Sequence, residues 1–181
     1  MSLNNVTAGD KTPEQFNVII EIPMNADPIK YEVDEDSGAM FVDRFMATAM
    51  HYPCNYCYIP QTLADDGDPV DVLVITPVPL IPGVVVTCRA LGMMKMEDEA
   101  GGDNKLLAVP IDKILSIYSQ WKKPEDLNPL RLKTIQHFFE HYKDLEPGKW
   151  VKVQGWEGVE SAHGEIMSGI ERFKKDHAAK A

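Results

Sequence analysis

The chain has 181 residues, 44% hydrophobic and 25% charged, with 28 Asp+Glu against 18 Lys+Arg and a formal net charge of -10. These figures describe a globular chain large enough for its own core, and an acidic excess of this size repels a phosphate backbone, which argues against nucleic acid or an anionic membrane as partner. The N-terminus MSLNNVTAGDKTPEQF lacks a basic segment followed by an apolar core, and the most apolar run, Val72 to Cys88, is broken by Pro77, Pro79, Pro82 and Gly83, so neither a secretory signal nor a membrane span is predicted and the expected location is cytoplasmic.

No internal repeat, low-complexity run or long linker divides the sequence, which predicts a single domain over residues 1–181, with an N-terminal arm over 1–15 and a C-terminal helix and tail over 157–181. Short β-rich runs come after the arm: Asn17 to Ile22, Ile29 to Val33 and Ala39 to Arg44, the last two separated by the turn-forming Asp34-Glu35-Asp36-Ser37-Gly38. Val70 to Ile75 and Val84 to Met94 predict strands on either side of the Pro-rich loop, and Leu106 to Pro110 and Trp150 to Val153 predict two more, with Ala100-Gly101-Gly102-Asp103 read as a turn. A helix starts at Asn128, a good N-cap before Pro129, and Leu132, Ile135, Phe139 and Tyr142 recur at helical spacing up to a stop near Pro147-Gly148. A second helix, from about Glu160 to Lys175, puts Ala162, Ile166, Ile170 and Phe173 on one face and lysines at its C-terminal end, where they complement the dipole. The fold class is α+β, mainly β: a small barrel or sandwich with two principal flanking helices.

The acidic excess is concentrated. The windows Asp65 to Asp71 and Glu97 to Asp103 hold eight of the 28 acidic residues and no Lys or Arg, leaving 20 acids against 18 bases elsewhere. Carboxylates this dense repel one another unless cations or solvent offset the charge. Within Asp66-Gly67-Asp68-Pro69-Val70-Asp71-Val72, strand-forming neighbours and Pro69 set the directions of the aspartates. An EF-hand starting at Asp66 would need Gly at its sixth position and Glu at its twelfth, where Asp71 and Pro77 stand. Carboxylate oxygens without a neighbouring His or Cys suit a hard ion, Mg2+ or Mn2+, completed by substrate phosphates. Donors for an anion are at hand: Lys30, which shares a strand face with Glu32, and Arg44, Tyr52, Tyr56, Lys105, Tyr142 and Lys143.

Seven segments stand in order along the chain: Glu21-Ile22-Pro23, Ile29-Lys30-Tyr31-Glu32, Phe41-Val42-Asp43-Arg44, Tyr52-Pro53-Cys54-Asn55-Tyr56, the DGDPVDV signature from Asp66 to Val72, Asp98 to Lys105, and His137 to Lys143. In this order they closely resemble the soluble family I inorganic pyrophosphatases of bacterial type, a resemblance that extends from about Asn17 to Trp156. It implies an OB-type five-stranded closed barrel, an inorganic diphosphatase that hydrolyses diphosphate to two phosphates by attack of metal-activated water, several Mg2+ ions per subunit with Mn2+ able to substitute, and a homohexamer. By matched position, Asp66, Asp71 and Asp103 resemble ligands of a first ion, with Asp71 shared by a second, while Asp98 and Asp103 resemble ligands of ions arriving with substrate. Asp68 resembles the general base. Lys30, Arg44, Tyr56, Tyr142 and Lys143 resemble the groups that hold the phosphates, and Glu21, Glu32, Tyr52 and Lys105 resemble supporting residues.

Competing readings make different demands. A two-metal phosphodiesterase needs a basic track for its polymer, and a nucleic-acid-binding OB module needs aromatics interleaved with Lys and Arg where this chain has Asp and Glu. Cys54 and Cys57 form a Cys-x-x-Cys, but zinc would want a second ligand pair, and Cys88 with His51 is a weak one. Cys57 stands where the family commonly has Gly. His137 and His141 share a helix face without the Glu of a His-Glu-x-x-His motif, which favours a surface or packing role.

Overall fold

The structure is a computed structural model describing residues 3–34 and 37–180. Glu35 and Asp36 of the expected turn, and the chain's extreme termini, lie outside the described residues. Among the described residues nine strands form: β1 (Phe16–Ile22), β2 (Ile29–Val33), β3 (Met40–Phe45), β4 (Asn55–Tyr58), β5 (Asp71–Val74), β6 (Val85–Asp98), β7 (Gly101–Gly102), β8 (Lys105–Pro110) and β9 (Val151–Glu157). Two α-helices accompany them, α1 (Pro129–His141) and α2 (Val159–Lys180). No helix among the described residues is long and apolar enough to cross a membrane.

β1, β4, β5, β8 and β6 pair in that order, and β6 returns to pair with β1, closing a five-stranded barrel. Closure leaves these strands no free edge over the paired lengths, and their side chains divide by alternation between two cores. Val18 and Ile20 of β1, Val72 and Val74 of β5, and Leu106 and Ala108 of β8 enter one core, which α2 covers with Ala162 and Ile166. Leu73, Leu107, Val109, Met94 and Met96 enter the other, against Ile135, Phe138 and Phe139 of α1.

Three differences from the sequence expectations shape the surroundings of the acidic segments. β4 is a strand that local patterning does not predict: it is short and carries Asn55 and a cysteine, yet pairing on both sides with β1 and β5 makes it a central stave. β6 runs past Met94 to Asp98, because β9 pairs along it to Val151 and Gly101–Gly102 fold back as β7, so the expected turn is part of a hairpin. α1 begins as expected, with the Leu130 N–H donating to Asn128 Oδ1 at 2.9 Å, but it ends at His141 rather than near Pro147. The next residues turn instead, Glu146 N–H donating to the Lys143 carbonyl at 2.9 Å, which frees the Lys143 side chain to turn inward. β5 and β6, the strands flanking the Pro-rich loop, are not neighbours; β8 lies between them, parallel to β5.

Candidate active site

The Asp66–Val72 segment is a tight loop feeding a strand. Gly67 has φ +94°, which a side chain would strain, and the loop closes through Ala64 N–H to the Asp68 carbonyl at 2.7 Å and Asp68 N–H to Asp66 Oδ1 at 3.1 Å. α2 holds the base of this loop: Leu63 N–H donates to the Gly169 carbonyl at 2.9 Å, and Arg172 pairs with Asp65 at 2.7 Å. Asp66 and Asp68 are exposed at the tip, and partial desolvation raises both carboxyls above the ordinary aspartate range, with Asp71 adding repulsion at Asp68.

Where the loop enters β5, parallel pairing of Val72 with Leu106 places Asp71 beside Lys105 at the start of β8. By alternation Asp71 and Lys105 share the face of Leu73 and Leu107, so both reach the barrel mouth over the second core. The Lys105 ammonium bridges Asp71 and Asp103 and lies 3.2 Å from the Tyr56 hydroxyl. Burial works to lower its pKa, but the two carboxylates outweigh it and hold Lys105 well above the ordinary lysine range. Asp71 is raised by burial, against the lowering effect of Lys105. Asp98, at the end of β6 on the face of Met94 and Met96, accepts from Lys143 at 2.6 Å, and Lys143 lies 5.4 Å from the Tyr142 ring centroid. Tyr142 is buried, and burial pushes its hydroxyl pKa far up.

The β2–β3 hairpin faces this cluster. Lys30 and Arg44 are cross-strand partners, so two cations project from adjacent strands. Lys30 pairs with Glu32 and lies 3.7 Å from Asp43; Arg44 lies 3.0 Å from Asp43 and 3.3 Å from Glu146. Arg44 Nε is buried and, although close to Glu146, makes no hydrogen bond of good geometry. Glu21 accepts the Val33 N–H at 2.9 Å, tying β1 to β2, and burial raises its carboxyl to about 8. Glu21, Lys30, Glu32, Tyr56, Asp68 and Asp71 together line a cavity of about 230 Å³. A small anion entering this cavity meets Lys30 beside Glu32 from the hairpin, with Arg44 opposite Lys30 on the next strand, and the carboxylates of Glu21, Asp68 and Asp71 from the barrel and its loop.

A family model described as "Inorganic pyrophosphatase" matches residues 18–174, a span that contains every one of these side chains. The chain belongs to the inorganic pyrophosphatase family. It is 61% identical over 175 residues to the inorganic pyrophosphatase of Yersinia pestis, covering 97% of this chain and 100% of that one. The inorganic pyrophosphatase of Escherichia coli K12 is 62% identical over 174 residues, 96% of this chain and 99% of that one. Among solved structures, the inorganic pyrophosphatase of Coxiella burnetii superposes with a TM-score of 0.90 at 57% identity, covering 93% of this chain and 99% of that one.

Within this pyrophosphatase-family chain, the candidate residues form three connected groups. Asp66, Asp68, Asp71, Asp103, Lys105 and Tyr56 make the first, Asp98, Lys143 and Tyr142 the second, and Lys30, Glu32 and Arg44, backed by Glu21, the third. Among the described residues no three His, Cys, Asp or Glu side chains converge closely enough to hold an ion as they lie. Tyr52 is drawn into the core instead, packed on Phe138 at 4.9 Å with its hydroxyl 3.8 Å from Met46 Sδ. Sequence reasoning missed Asp43, Glu99 and Glu146, which brace Lys30, Lys143 and Arg44. Asp43 adjoins Arg44 in the Phe41–Arg44 motif and could have been found there, but only the tertiary pairing singles out the other two. Cys54, Cys57 and Cys88 are free and fully enclosed in the cores.

Proposed function

We propose that this chain is a magnesium-dependent inorganic diphosphatase that hydrolyses diphosphate to two phosphates. The observation that carries the reading is the cavity of about 230 Å³ at the barrel mouth, which Asp68 and Asp71 line together with Lys30 of the hairpin. Family membership supports the same reaction. The donor set suits a hard divalent ion, since it offers carboxylate oxygens from Asp66, Asp71, Asp98 and Asp103 while the cysteines lie in the core. Bound there, Mg2+ supplies neutralisation of the substrate's charge and lowers the pKa of water.

The chain's own groups supply the rest. Fully ionised diphosphate carries close to four negative charges, so an attacking oxygen is repelled until cations surround it. Lys30 and Arg44 approach the phosphates from the hairpin, and the buried Arg44 Nε is a donor in need of a well-placed acceptor. Tyr56, Tyr142 and Lys143 bind from the barrel side and stabilise charge on the leaving phosphate. Asp68, exposed at the loop tip and held by the Asp66 turn, orients the attacking water and takes its proton. Glu21, Glu32 and Lys105 set the charge around them. The enzyme is read as cytoplasmic, as a single domain over 1–181, and as a homohexamer. Exposed Phe45, Ile81 and Leu145 fit a surface covered in an assembly, and the hexamer's mass is checked by light scattering.

The test is phosphate release from diphosphate with Mg2+. Wild type is expected to be active and to leave a phosphodiester intact, and Asp68→Asn is expected to lose roughly 10²–10⁴-fold in kcat. Equal activity of Asp68→Asn would remove Asp68 from its role, and inactivity of wild type would overturn the function.

A further inference from the structure

We propose that Lys105 is a built-in counter-cation of the metal site, competing with the first divalent ion for Asp71 and Asp103 and giving them up when that ion binds. The proposal rests on the reading of these aspartates as ion ligands and adds a sign to it. β8 is buried along its whole length, so a lysine at its first position has no route to solvent and must find carboxylates. The parallel register with β5 supplies Asp71, and the hairpin of β6 and β7 delivers Asp103, whose N–H donates to the Met96 carbonyl at 2.9 Å. The ammonium, on a side chain 2% exposed, touches both. The arrangement recurs at Asp98, which the 7%-exposed Lys143 engages at 2.6 Å. Three of the four carboxylates read as ion ligands are therefore already paired with a lysine, whereas Asp66 accepts a backbone N–H and, among the described residues, pairs with no lysine.

Asp71 and Asp103 are both largely buried and repel each other, so they need a cation between them before any metal arrives. A divalent ion placed on the same oxygens meets the ammonium at close range, where like charges oppose each other strongly. The Tyr56 hydroxyl, 3.2 Å from Nζ on the cavity side, offers the displaced ammonium a partner next to the substrate cavity. Lys105 thus holds the ion-free site together and weakens ion binding. A lysine that only supports substrate has no effect on ion affinity without diphosphate, and one that only supports the fold weakens it when removed.

Lys105→Met keeps the aliphatic stem and removes the charge. EDTA-stripped wild type and variant are titrated with Mn2+ alone by calorimetry. The variant is expected to bind the first Mn2+ about tenfold tighter or more, while melting lower than wild type in EDTA. Unchanged or weaker Mn2+ binding overturns the counter-cation role. No Mn2+ binding by wild type overturns the metal-site reading itself. Should Lys105→Met not fold, the Lys105 15Nζ resonance of wild type is followed during Mg2+ addition without diphosphate: a shift with the first equivalent is expected, and a resonance that moves only with diphosphate overturns the proposal.

Discussion

Gly92→Ala tests whether β6 is as tightly clamped as its neighbours imply. Gly92 lies where the register between β6 and β8 slips, between Ala90 and Gly92, and its backbone φ is ordinary. The constraint is space. A Cβ there would lie 2.3 Å from the Glu157 carbonyl oxygen, 2.5 Å from Pro124 Cγ and 2.9 Å from Pro124 Cδ. Two of these atoms belong to a proline ring and one to the backbone of β9, so none can rotate away, and relief requires β9 or the Pro124 turn to move by about 1 Å. Overpacking of this kind costs about 1–3 kcal/mol, and weakening the Met93–Glu157 pairing adds about 1 kcal/mol, so we expect a loss of about 2–4 kcal/mol. For a chain of this length each kcal/mol lowers Tm by about 2–4 °C, which predicts a fall of roughly 4–16 °C in differential scanning calorimetry. Gly164→Ala is the control. It lies inside α2 with nothing within 4 Å of the added Cβ, so it should gain about 0.5–1 kcal/mol from helix propensity. A Gly92→Ala variant melting within about 2 °C of wild type would refute the steric reasoning.

Glu21 gives a pH dependence of defined sign. Burial raises its carboxyl from 4.5 to about 8 in the folded chain, so between those values the folded state holds a proton that the unfolded state has lost, and stability falls as pH rises. In EDTA, Glu21→Gln should therefore match wild type near pH 4.5 and exceed it increasingly toward pH 8, by about 5 kcal/mol at most; urea unfolding that shows the same difference at both pH values contradicts this. The cysteines should be silent: burial pushes Cys54 up to about 12 and Cys57 and Cys88 well above the ordinary thiol range. A disulfide reagent at about pH 8 should accordingly label no thiol in the native chain and all three in guanidinium, and fast native labelling would restore a reactive role for the Cys-x-x-Cys.

Local chemistry is legible where it is written into contiguous residues. Turn signals and β-rich runs locate seven of the nine strands among the described residues, the Asn128-Pro129 start of α1 is correct because capping depends on neighbours in sequence, and the concentration of acids around Asp66 and Asp98 marks the candidate site without knowledge of the fold. β4 escapes because it is too short to show a pattern and is held as a strand by its place between β1 and β5. The end of α1 escapes for a related reason: helical periodicity continues to Tyr142, but the inward Lys143–Asp98 pair is a contact across 45 residues that no local pattern encodes. The aspartate signature alone determined that this chain carries a dense negative loop able to attract cations. Only the tertiary structure decided which charges face it, because parallel pairing of β5 with β8 in the barrel set Lys105 against Asp71, and antiparallel pairing in the separate β2–β3 hairpin set Lys30 opposite Arg44. Sequence specifies the charges, whereas strand register specifies their distances, and electrostatic energy depends on distance.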